Sequence, residues 1–156
     1  MMYQALPVPE MSLKPSVYET DFYAWTQEQV KLLSEGHWHQ VDLKNIIEEI
    51  ESLGKQERQQ LRHCLGVLLG HLLKWQLQRT HRSKSWLATI REQRRRLTIV
   101  LEENPSLRPY LSEANAISYA LGTDLVVQET PLDYNDLPEV CPYTLEQVIS
   151  DEFLPE

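Results

Sequence analysis

Residues 68 to 86 read LLGHLLKWQLQRTHRSKSW, and the two halves of that stretch have different physics. The first half is leucine-rich and encloses His71 next to Trp75; the second turns basic within a few residues. Followed backward, Leu61, Leu65, Leu68, Leu69, Leu72 and Leu73 recur at offsets of four, seven, eight, eleven and twelve. That spacing marks a helix with one core-facing stripe. At about 100° per residue, Leu61, Leu65, Leu68 and Leu72 fall within about 60° of one another, with Trp75 at their edge. An all-α fold is the expectation from which the rest of the chain is read.

Outward from this helix, the flanking segments carry the same signal. Residues 1–15 hold three of the nine prolines and no periodicity, and read as an extended N-terminal arm. Residues 16–156 read as a single helical domain, a compact bundle of about five helices. Ser16 and Glu19 have capping-box spacing, and the first helix runs through Trp25 and Leu33 to a stop near Gly36. Asp42 is placed to cap a second helix whose stripe is Ile46, Ile47, Ile50 and Leu53, with Gly54 as its stop. The leucine helix then starts at Lys55. Leu65, Leu68 and Leu72 are expected to pack on Ile46, Ile50 and Ile90. A further helix carries Trp86, Leu87, Ile90, Leu97 and Leu101, and Asn104-Pro105 restarts the chain. Residues 131–156 form an irregular, loop-rich acidic tail with one short helix from about 143 to 150.

Charge is segregated along the chain. Residues 1–54 carry net −6, residues 55–96 net +9, and residues 97–156 net −11, which together give the formal −8. An acidic whole therefore hides a basic middle. Apolar residues at 42% and charged residues at 24% are ordinary for a globular protein. No apolar run approaches the roughly 20 residues that cross a bilayer. The N-terminus lacks a basic stretch followed by an apolar one, so a cytoplasmic location is expected. Cys64 and Cys141 have no metal-ligand spacing and are expected to be free thiols.

Several segments, in order, are YETDFYAW, DLKNIIEEIESLG, LLGHLLKWQ, NPSLRPYL and CPYTLEQV. Together they resemble a bacterial, largely cyanobacterial family known as a domain of unknown function, number twenty-nine in its series. The resemblance spans roughly residues 17–156. It implies a mostly α-helical domain and no particular activity.

Candidate sites follow from the residues themselves. His71 lies at the border of the leucine stripe, beside Cys64 and Trp75, and reads as a polar core residue rather than a general base. No Glu-x-x-His pair, P-loop, dinucleotide fingerprint or nucleophile elbow is present, so no catalytic residue, metal or cofactor is assigned. Arg94 falls inside the apolar stripe of its own helix. A guanidinium there needs a partner, and Glu49, near the border of the isoleucine stripe, is expected to supply a structural ion pair. Lys74, Arg79, Arg82, Lys84, Arg91 and Arg95, with Trp75 and Trp86, cluster at a helix–loop–helix corner over residues 74–96 and make the candidate binding surface. The acidic flanks are expected to fold over this corner, with Asp133, Asp136 and Glu139 across it. Gly66 and Gly70 leave a small-residue face for close helix packing, within the chain or in a homodimer. The leading expectation is a non-enzymatic binding or regulatory module acting through protein contacts. The alternative is a nucleic-acid-binding protein or nuclease that uses the basic corner.

Overall fold

The computed structural model describes residues 15–156; the arm expected over residues 1–15 lies, but for Pro15, outside them. The fold is all-α. Its helices are α1 (Val17–Thr20), α2 (Phe22–Ser34), α3 (Leu43–Leu77), α4 (Lys84–Glu103), α5 (Leu111–Glu129) and α6 (Leu145–Ile149). Short 3-10 turns stand between them, and no strand occurs among the described residues. Among the described residues the chain forms two compact units, residues 15–51 and 52–156.

In the first unit, α2 stops at Gly36, the one residue with left-handed backbone (φ 73°) among the described residues. The amide of His37 reaches back to the Leu32 carbonyl (2.9 Å) and that of Gly36 to Leu33 (3.2 Å). This is the Schellman closure, which satisfies carbonyls that the helix end leaves without partners. Asp42 then performs three tasks. Its carboxylate accepts from the amide of Asn45 (3.4 Å) and from Nε1 of Trp25 (3.0 Å), while its own amide donates to Oε1 of Gln29 (2.7 Å). Tyr18 stands edge-on to Trp25 with ring centroids 4.8 Å apart, and Phe22 stacks on Trp25 at 5.5 Å.

The second unit is built on the leucines. Leu61, Leu65, Leu68, Leu69, Leu72 and Leu73 are all fully buried. Ile90, Leu97, Val100 and Leu101 of α4, Ala114 and Val126 of α5, and Tyr143 and Val148 of the tail complete the core. The glycine face of α3 takes α5. A Cβ on Gly66 would strike the Leu121 side chain, 2.8 Å from Cγ, and one on Gly70 would lie 3.0 Å from the Gly122 carbonyl. The close approach anticipated at Gly66 and Gly70 is therefore made within the chain. That corrects the homodimer reading of the same face, which α5 already occupies.

Two expectations about α3 also change. Gly54 does not stop a helix: α3 runs through it for 35 residues. Good helix formers flank it (Glu51, Lys55, Gln56, Glu57), and a single glycine costs only about 1 kcal/mol. Ile46 and Ile50 thus ride on the same helix as Leu65, Leu68 and Leu72 and cannot pack against that stripe. Ile47 and Ile50 are exposed.

Candidate interaction surface

The basic corner is formed by the end of α3, the turn at Arg79–His81 and the start of α4. Ser83 opens α4, its hydroxyl accepting the amide of Trp86 at 3.2 Å. The structure sorts the eight candidate residues into two groups. Lys74 is only 3% exposed. Its ammonium pairs with Oε2 of Glu129 on α5 and sits 4.4 Å from the centroid of the Trp86 ring. Arg82 lies over the Trp75 ring (4.9 Å) and donates from Nε to the Trp75 carbonyl (2.8 Å) and from Nη2 to the Pro155 carbonyl (3.5 Å). Lys74, Arg82 and one face of each tryptophan are therefore engaged internally. A cation over an aromatic ring is a favourable contact in its own right.

Arg79, Lys84, Arg91 and Arg95 remain. All four are exposed, and none has a carboxylate within ion-pair distance among the described residues. Lys84, Arg91 and Arg95 recur at i, i+7 and i+11 on α4, so they share one face. With Leu87 and Ala88 they line a recess of about 350 Å³. Arg91 and Arg95 also line a second of about 480 Å³, with Thr98 and Asp151. The spacing from Lys84 contained Leu87 and Ala88 in the sequence; Asp151 carried no such signal.

Asp133 and Asp136 do not lie across this face as expected, although Asp151 of the same tail borders it. Asp133 and Asp136 cap their own turn, Asp136 accepting the amide of Asp133 (2.9 Å) and Asp133 that of Tyr134 (2.7 Å). Tyr134 donates to Asp124 (2.7 Å), and Tyr119 to the Pro138 carbonyl (2.6 Å). Tyr119, Tyr134 and Pro138, with Ala116, Thr123 and Glu139, line a recess of about 630 Å³ against α5. Short-range caps thus hold Asp133 and Asp136, and the Tyr119 and Tyr134 hydroxyls tie this part of the tail to α5. Glu129 and Asp151 are the acids that approach the cationic region.

Arg94 is a correction. It is buried, at 2% exposure, but its partners are not carboxylates. Nε donates to the Val148 carbonyl (2.9 Å) and Nη2 to that of Gln147 (3.3 Å), in and beside the last turn of α6. Burial lowers its pKa, and Asp151 nearby opposes that shift. Glu49 instead accepts the Tyr18 hydroxyl at 2.6 Å, a bond that, with burial, pushes the tyrosine up to about 12.

A family model described as domain of unknown function DUF29 matches residues 17–154. The chain belongs to the DUF29 family. No curated protein and no solved structure matches it. In this DUF29 domain His71 is buried, with Nδ1 2.9 Å from the Val67 carbonyl one turn earlier. Burial lowers its pKa, opposed by the Val67 carbonyl, which favours the neutral imidazole. Cys64 and Cys141 are free thiols, and burial raises both. Among the described residues of the DUF29 domain no group of three or more His, Cys, Asp or Glu side chains could hold a metal ion. No helix there is long and apolar enough to cross a membrane.

Proposed function

We propose that this DUF29 domain is a non-enzymatic binding module and that α4 presents its working face to an acidic segment of a protein partner. The observation that carries this reading is the arrangement of Lys84, Arg91 and Arg95 around Leu87 and Ala88, with no carboxylate among the described residues paired to any of the three. Exposed cations flanking an apolar strip match a chain that alternates carboxylates with aliphatic side chains. Charge of this kind acts mainly on encounter rate and specificity. A nucleic-acid reading finds less support. The aromatic rings that would stack on bases each carry an internal cation on one face.

The test is fluorescence anisotropy with a labelled Glu/Leu peptide and with short single- and double-stranded DNA and RNA, at about 50 and 200 mM salt. The peptide is expected to bind, and Arg91→Glu with Arg95→Glu to remove that binding. Four phosphate contacts would weaken nucleic-acid binding by about 10²-fold across that salt range. Oligonucleotide binding with that slope, and none to the peptide, would transfer the face to nucleic acid.

A further inference from the structure

The first unit holds a second surface of opposite character. Trp25, Val30 and Leu33 on α2 and Ile46 and Ile50 on α3, with Glu49 at the edge, line a recess of about 190 Å³. Its floor is the buried Trp25, and its walls stay open: Val30 is 59% exposed and Ile50 62%. The polar groups around it are already engaged. The Trp25 indole donates to Asp42, Gln29 accepts the Asp42 amide, and Glu49 accepts the Tyr18 hydroxyl. What faces outward along the seam is therefore aliphatic. Val30 and Leu33 at i and i+3, opposite Ile46 and Ile50 at i and i+4, form the two walls into which a third helix lays its apolar face.

Charge selects the kind of helix. Residues 15–51 carry eight acidic and two basic side chains. Glu28, Glu48 and Glu51 are exposed on the same two helices. A second copy of this face, equally acidic, is repelled, and so is an anionic lipid surface. We infer that the α2–α3 seam docks a basic amphipathic helix of a partner protein, with leucine-like side chains over Trp25 and lysine or arginine against the glutamates. This surface is separate from the basic face of α4 and takes the complementary charge.

The test uses the full chain and a labelled Leu/Lys amphipathic peptide of about 18 residues, compared with a Leu/Glu peptide of the same pattern. The Leu/Lys peptide is expected to bind and the Leu/Glu peptide not to. Val30→Gln with Ile50→Gln should weaken binding roughly tenfold or more, since central apolar anchors carry most of such an interface. Both positions are exposed and glutamine suits a helix, so the melting curve should be unchanged. Arg91→Glu with Arg95→Glu should leave this binding intact, which separates it from the α4 reading. Absence of binding, or equal binding to the glutamine variant, overturns the proposal. So does a wild-type dimer that the glutamine variant converts to monomer, which would assign the seam to a second copy.

Discussion

Arg94 shows what one residue reveals and what it hides. Its place between Ile90 and Leu97 announced a buried guanidinium in need of partners. Its acceptors were not legible, because backbone carbonyls at a helix end have no side-chain signature. By forking to the Val148 and Gln147 carbonyls, Arg94 holds a five-residue helix too short to persist alone. Arg94→Ala is expected to lower stability by about 2–4 kcal/mol in urea denaturation. Arg94→Lys should recover only part of that, because an ammonium cannot span both carbonyls as a planar fork does. An unchanged midpoint for the alanine variant would mean that α6 is held by its apolar contacts instead. Lys74 repeats the lesson: its lysine identity suggested an exposed cation, but Glu129 and Trp86 enclose it.

At the scale of elements, glycine meant different things along one helix. Gly54 has no atom near its missing Cβ, whereas Gly66 lies against Leu121. The same substitution should therefore act in opposite directions. Gly54→Ala is expected to stabilise by about 0.5–1 kcal/mol through helix propensity. Gly66→Ala should destabilise by about 1–2 kcal/mol net, because overpacking against α5 outweighs the propensity gain. Melting curves of the two variants check this, and shifts of the same sign would show that α3 and α5 do not meet at Gly66. The sequence contained the leucine stripe and the small-residue face. Whether that face met another helix or another subunit depended on where the chain returned, which periodicity does not encode.

Across the whole molecule, the segregated charge is only partly compensated within the fold. Among the described residues one ion pair, the buried Lys74 with the half-exposed Glu129, joins the basic middle to the acidic C-terminal third, while the tail acids at 133 and 136 cap their own turn. Burial is uneven as well. In α1 and α2 the buried residues are Trp25 and Gln29, whereas α3 buries an unbroken run from Leu68 to Lys74. Local opening should follow burial. In native-state hydrogen exchange, the amides of α2 are expected to exchange at a lower opening free energy than those of residues 61–74. Equal protection of both segments would count against two units of different stability.

The sequence by itself determined the helical class, the buried leucine stripe, the stop at Gly36 and the need to satisfy Arg94. These rest on local spacing, capping and desolvation, which act within a few turns of chain. Only the tertiary structure decided that α3 continues through Gly54, that α5 fills the glycine face, and that Arg94 turns to α6 rather than to Glu49. It alone showed which cations stay free, since that depends on which acids lie within a few ångströms. Distances of that kind arise between segments far apart in sequence, where side-chain periodicity carries no information.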